Sequence, residues 1–313
     1  MKIGNVLFPI KFLYLVVLCL FELARIRPDI VNPHSRDDQI IFTLLRPLFG
    51  YRIVWKNPGD LRFALQGDSR RNPIAKLYEK LLIAMMRRAD AIYSLNQEET
   101  DFLKPFVSGS STQLTTIPSD ILFENYNTEV KPLKEAQDKI IIGTMSRLDE
   151  SKGVIDVIEA LALLKSANVE LWIVGEGEDR QRLEAKVEEL ELKDKVRFWG
   201  FQKEVSPFYA SFDIFVQPAH HEPWGRNIRE AKYFSLPIVG SAVGGIKDQL
   251  SDGTGVLYNT GDSGELAKIL KSLIGDSKKR ESLGASAREA IIEEGDFTKK
   301  FEEQILPLLE GAK

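Results

Sequence analysis

The chain has 313 residues, 43% of them hydrophobic, and a formal net charge of −4. Length and composition point to about two domains with a sizeable core, and the charge is too mild to argue for any partner of the whole molecule. A single cysteine, Cys19, excludes a disulfide within the chain and points to a reducing compartment.

The charge is unevenly spread. Residues 1–110 carry 16 Lys and Arg against 11 Asp and Glu, and the remainder carries 26 against 35. A basic N-terminal part suits anionic lipid or an anionic acceptor, although plain scatter is the first reading. Within that part the apolar run Phe12–Phe21 is bracketed by Lys11 and Glu22. It is far shorter than the ~20 residues of a spanning helix, and no small-residue cleavage site follows it. A buried helix, an interfacial helix, and a signal or spanning segment are the three readings, in that order.

Short β-branched runs then alternate with longer amphipathic stretches. Strands are expected at Asp29–Asn32, Tyr51–Trp55, Ala91–Ser94, Leu114–Ile117, Lys139–Met145, Val169–Val174, Val196–Trp199, Ile214–Gln217, Pro237–Gly240 and Gly255–Tyr258. Helices are expected between them, among them Val154–Lys165, Asp179–Leu190, Asn227–Phe234 and Gly264–Ile274. This alternation predicts parallel sheets flanked by helices. Gly and Pro mark turns at Arg27-Pro28, Asn57-Pro58-Gly59 and Gly244-Gly245. The polar, aperiodic stretch Glu124–Asp138, with Pro132, reads as an interdomain linker. It divides the chain into 1–130 and 131–313.

The chemistry concentrates in the second part. Ile140-Ile-Ile-Gly143-Thr-Met-Ser-Arg147-Leu-Asp-Glu-Ser-Lys152-Gly153 runs a strand into a glycine-containing turn. Arg147 and Lys152 stand where one pyrophosphate suits both, the guanidinium as a fork and the ammonium as a point charge. A solvated loop with two surface cations is the plainer alternative. Leu171-Trp-Ile-Val-Gly175-Glu-Gly177 is a second strand and glycine turn, weak alone. The most informative segment is Gln217-Pro-Ala-His-His-Glu222-Pro-Trp-Gly225-Arg-Asn-Ile-Arg-Glu230-Ala. Gly225 permits close backbone approach, and the amides opening the following helix suit a diphosphate. Glu230, on the helix, suits a ribose diol, and Glu222, nearer the turn, suits sugar hydroxyls. His220 and His221 beside Glu222 raise the question of a metal, but adjacent side chains diverge and no third ligand is evident.

The order G-x-x-x-R-x-x-x-x-K-G, I-V-G-x-G, V-x-F-x-G, D-I-F-V-x-P, E-P-x-G-x-x-x-x-E-A, L-P-I-V, V-G-G and D-G-x-G resembles the C-terminal lobe of family-4 retaining glycosyltransferases (glycosyl transferases group 1, GT-B fold). The match covers about residues 139–310. Each motif is weak alone, and the eight in order are specific. The resemblance implies an α/β fold of two Rossmann-like parallel-sheet lobes facing a cleft. It implies a hexosyl-type transfer from a nucleoside-diphosphate-sugar donor to the hydroxyl of a sugar or lipid-linked acceptor, as in glycolipid or polysaccharide precursors. Arg147 and Lys152 would hold the donor diphosphate, and Glu222 would meet the transferred sugar. Gly143, Gly175, Phe201, Trp224, Gly225, Arg226, Asn227 and Glu230 would complete donor binding, with Glu230 on the ribose and Phe201 bordering the base. No D-x-D triad occurs in the sequence, so transfer without metal or other cofactor is expected.

The N-terminal part departs from the family. Arg27-Pro-Asp-Ile-Val-Asn-Pro-His34 resembles the middle of the family's first lobe rather than its start. The opening βα units and their glycine loop look absent, and Lys56 or Asn57 stands where a histidine is usual. A shortened enzyme, a nucleotide-binding half-enzyme needing a partner chain, and another GT-B chemistry such as nucleotide-sugar epimerisation are the readings carried forward. Residues 1–25 are the candidate surface for a membrane or partner subunit. The expected location is the cytoplasm, at the inner membrane face, with no nucleic acid involved.

Overall fold

The computed structural model describes residues 8–57, 61, 65, 73–133, 139–164 and 168–311. The Pro58-Gly59 turn, the end of the polar stretch at 134–138, Lys165 and residues 1–7 lie outside them. The chain forms two compact units, Met1–Pro118 with Phe301–Lys313, and Ser119–Lys300. Each is an α/β unit with all its strands parallel, as the alternation predicted.

The first unit runs α1 (Phe8–Ile26), β1 (Ile30–Val31), α2 (Arg36–Phe49), β2 (Arg52–Asn57), α3 (Pro73–Met86), β3 (Ala91–Ser94), α4 (Gln97–Val107) and β4 (Gln113–Thr116). Its sheet order is β1-β2-β3-β4, so each strand lies beside its predecessor. Local chemistry sets the ends of α2. Ser35 caps the start by accepting from the Asp38 amide, and Gly50, at φ 75°, closes the end onto Arg46 O. Arg46 then ties the strand starts together, donating to Arg88 O at 2.6 Å and to Asp90 Oδ1 at 2.7 Å. The core packs Ile40, Ile41, Ile53, Trp55, Leu82 and Met86. Leu308, in the helix Leu306–Glu310, packs on Val54, Ala91, Tyr93 and Ile117. The apolar run near the N-terminus is a helix buried on one side only. Leu15, Val16, Cys19, Leu20 and Leu23 pack inward, while Tyr14, Val17, Leu18 and Phe21 stay exposed. Among the described residues, no helix is long and apolar enough to cross a membrane.

The second unit runs β5 (Ile140–Met145), α5 (Val154–Leu163), β6 (Val169–Val174), α6 (Arg180–Glu189), β7 (Val196–Gly200), α7 (Ser206–Tyr209), β8 (Ile214–Gln217), α8 (Arg226–Tyr233), β9 (Ile238–Ser241), α9 (Gly244–Leu250), β10 (Val256–Tyr258), α10 (Ser263–Gly275), α11 (Ser277–Glu294) and α12 (Phe297–Lys300). Its strands lie in the order β7-β6-β5-β8-β9-β10. That is the doubly wound arrangement, with its topological switch between β5 and β8.

The division between the units falls at Pro118/Ser119 rather than after residue 130. Buried groups explain why the start of the supposed linker sits in the second unit. Ile121 and Tyr126 pack with Ile291. Asp120 is buried against Arg229 and against Lys300 Nζ at 2.7 Å, and Glu294 Oε2 meets Arg229 at 2.6 Å. These two cations and two carboxylates offset one another's desolvation.

Candidate functional site

The switch point determines where the second unit can hold a ligand. β5 leads to β6 on one side, and β8 leads to β9 on the other, so the loops leaving their C-terminal ends part and open a crevice. The loop after β5 carries Arg147 and Lys152, and the loop after β8 carries Glu222.

Backbone contacts stitch these loops together. The amides of His220 and His221 both donate to Ser151 O, at 2.8 and 3.2 Å. Gly153, at φ 58°, makes the approach possible, because a methyl group there would overlap Pro218 O and the His220 ring. Lys152 Nζ thereby comes to 2.9 Å from Glu222 Oε2, with the two side chains 15% and 16% exposed. The other oxygen of Glu222 accepts from the amides of Trp224 at 3.3 Å and Gly225 at 3.0 Å, where α8 begins. One carboxylate is thus held by an ammonium and two amides at a helix N-terminus, the donor set that binds anions.

Asn227 closes the ends of β5 and β8 onto each other, its Nδ2 donating to Met145 O and Gln217 Oε1, both at 2.7 Å. Asn227 Oδ1, Thr144 Oγ1 and Ser146 Oγ are buried and have no hydrogen-bond partner among the described residues.

Glu230 lies one turn into α8. Tyr126 Oη donates to its Oε1 and Tyr209 Oη to its Oε2, both at 2.6 Å. Arg226 donates to Tyr126 Oη at 3.2 Å and stands 3.7 Å from Glu230 Oε1. Burial, then the charge of Glu230, pushes the Tyr126 hydroxyl up to about 12, and the same causes push Tyr209 well above its ordinary value. Both phenols therefore stay protonated and keep donating.

Of the remaining expected residues, Arg147 and Phe201 are exposed, and Gly143, Gly175 and Trp224 are packed. Arg147 is 79% exposed and pairs with Asp149 at 3.2 Å. Phe201 follows β7 and is 76% exposed. Gly143 lies inside β5, where a methyl would overlap the Phe212 ring. Gly175 and Gly177 let the loop after β6 lie against Ser146 O and Leu148 O. Trp224 is buried. His220 pairs with Asp156 Oδ2 at 2.9 Å, and burial raises the Asp156 carboxyl above its ordinary value. Among the described residues, no group of three or more His, Cys, Asp or Glu is placed to hold a metal ion. The contacts of Tyr126 and Tyr209 with Glu230 are not legible in the sequence. One lies in the stretch that reads as linker and the other in a short helix with no motif, so only the three-dimensional contacts find them.

The model for glycosyl transferases group 1 matches residues 125–290. The lipopolysaccharide core biosynthesis glycosyltransferase LpsE of Rhizobium meliloti (strain 1021) is 32% identical over 164 residues, 52% of this chain and 47% of that protein. The chain spans about half the length of the curated relatives it matches. Sucrose-phosphate synthase from Thermosynechococcus elongatus superposes with a TM-score of 0.81 at 21% identity, covering 96% of this chain and 78% of that one. Anabaena HepE in complex with UDP-glucose superposes with a TM-score of 0.78 at 19% identity, covering 95% and 82%. At these identities the structures speak to the fold.

Proposed function

Because the chain belongs to the group 1 glycosyl transferases, we propose that it transfers a sugar from a nucleoside-diphosphate donor to a hydroxyl acceptor with retention at the anomeric carbon. The observation that carries this reading is the convergence of Lys152 Nζ and the amides of Trp224 and Gly225 on one carboxylate, with Glu230 one turn further along the same helix. A phosphate oxygen suits the donors that now hold Glu222. When the diphosphate takes them, Glu222 is free to meet the sugar hydroxyls and Glu230 the ribose diol.

In the reaction, the bond from the anomeric carbon to the phosphate oxygen breaks, and its electron pair leaves with the nucleoside diphosphate. The acceptor oxygen bonds to the same carbon from the side of the leaving group, and its proton passes to the departing phosphate oxygen. Lys152 and the amides stabilise the charge that grows on the leaving group, without reorganising as it forms. Arg147, exposed on the same loop, adds a second cation. The exposed apolar row of α1, in the basic part of the chain, supports contact with an anionic membrane surface at the cytoplasmic face, where a lipid-linked acceptor would lie.

The test is thermal unfolding of the purified chain with UDP, GDP, ADP and their sugar conjugates, beside Glu230→Ala. Nucleotide at 100 times its dissociation constant adds about 2.7 kcal/mol of stability. A base-selective rise absent from the variant is expected. A folded sample that responds to none of them would sink the proposal.

A further inference from the structure

We infer that Tyr126 and Tyr209 are positioning residues for the donor ribose, acting through Glu230. The inference rests on the reading of Glu230 as the ribose-binding carboxylate and deepens it.

The geometry is specific. Each tyrosine donates to a different oxygen of Glu230, both at 2.6 Å, so rotation of the carboxylate plane breaks both bonds at once. An ionised carboxylate has about four lone-pair directions. The two phenols take two of them, leaving one on each oxygen for the two hydroxyls of a ribose diol. The Glu230 side chain is 13% exposed, so the group is presented along a narrow approach rather than solvated freely.

The two phenols come from segments that are themselves joined. Tyr209 is fully buried at the end of α7. The Asn127 amide, one residue past Tyr126, donates to the hydroxyl of Ser206 at the start of α7, at 3.3 Å. Phe123 stacks on Tyr233 at 4.5 Å, and Tyr126 meets the same ring edge-on at 6.4 Å. Arg288 covers Tyr233 at 4.0 Å. A stretch that reads as linker is therefore built into the second unit as a rigid support for one carboxylate. Core packing alone does not require two hydroxyls aimed at the same acidic side chain, since phenylalanine fills nearly the same volume.

The experiment is calorimetric titration with whichever of UDP, GDP and ADP binds, and with its 2′,3′-dideoxy analogue. It compares the wild-type chain, Tyr126→Phe, Tyr209→Phe and Glu230→Ala. Each Phe variant should weaken the ribonucleotide roughly tenfold, the scale of one lost hydrogen bond to a charged group, and leave the dideoxy analogue unchanged. A purely structural role would weaken both ligands alike, and that result overturns the inference. So does wild-type affinity for the ribonucleotide in both Phe variants. Glu230→Ala should bring the two ligands to equal affinity. A variant that still prefers the ribonucleotide refutes the role of Glu230 itself, and the inference falls with it, distinguishable from failure of the tyrosines alone.

Discussion

The two sheets of this protein are built alike and finished differently. In the four-stranded sheet every strand lies beside its predecessor, and side chains bridge the strand ends, although Gln39 Oε1 is itself buried without a partner among the described residues. Gln39 Nε2 donates to Lys56 O at 2.7 Å, Asn32 Nδ2 to Val54 O at 2.6 Å, and Asn57 Nδ2 to Ser94 Oγ at 3.2 Å. In the six-stranded sheet the order reverses between β5 and β8, and the strand ends there keep orphaned polar atoms beside a clustered ammonium and helix amides. Parallel strands with helical crossovers make a stable layer; a reversal of order adds the crevice. The chemistry of the chain should therefore be carried by the switch point, and the stability of the first unit by its closed ends.

Two cations put that contrast to its largest test. Lys152→Ala should lower turnover by about 10²–10³, the effect of losing one preorganised donor to a developing anion, with little change in melting temperature. Arg46→Ala, which removes the clamp on Arg88 O and Asp90, should do the reverse. It should cost about 1–3 kcal/mol of unfolding free energy and leave turnover per folded molecule near wild type. Denaturant unfolding and initial-rate measurements on both variants decide it. Equal loss of activity in both would erase the distinction between the sheets.

Glycines sharpen the comparison at a smaller scale. Gly245, the second residue of α9, lies against the Glu222 turn, its amide donating to Glu222 O at 3.1 Å. A methyl there would press on Pro223 O and Trp224 O at 2.6 Å. Gly50 ends α2 at φ 75° with nothing within 4 Å of where a methyl would go. Gly245→Ala is an overpacking change that displaces the donor turn, and should cost about 1–3 kcal/mol together with nucleotide affinity. Gly50→Ala meets only the backbone penalty of the left-handed region, about 1–2 kcal/mol, and should leave nucleotide affinity unchanged. Titration of both variants with the same nucleotide separates the two mechanisms.

The same difference explains what could be read from the sequence. Strands announce themselves by β-branched runs, and Ala91–Ser94, Val169–Val174 and Ile214–Gln217 occupy the residues expected of them. The second unit was legible in detail because its crevice forces glycine at fixed places, such as Gly175, Gly177, Gly225 and Gly245, and these form a pattern along the chain. Glu222 and Glu230 are expected as site residues through that pattern. Tyr126, Tyr209 and the Asp120–Arg229 pair are not, because no spacing rule links residues that meet only after folding. The boundary near residue 118 was hidden for the same reason. Glu124–Pro132 is polar and aperiodic, yet Ile121 and Tyr126 on either side of its start are buried. Half-burial of α1 was equally illegible, since a run that is apolar all round does not say which side meets the core.

The smallest expected effect concerns the charges that hold this hidden boundary in the second unit. Burial by itself raises the Glu294 carboxyl, but Arg229, Lys300 and Lys232 outweigh it and hold the group below its ordinary value. A carboxylate depressed in the folded state contributes stability above its unfolded value of about 4.3, and that contribution is lost as pH falls through the lower folded value. Glu294→Gln should therefore be less stable than wild type near neutrality, and the gap between the two should narrow on acidification below about pH 4. Parallel melting-temperature curves for wild type and Glu294→Gln from pH 7 to pH 3, each about a constant distance apart, would show that Arg229 and Lys300 do not depend on Glu294. Among the carboxylates of this cluster, Asp120 would then hold Arg229 and Lys300 without help from Glu294.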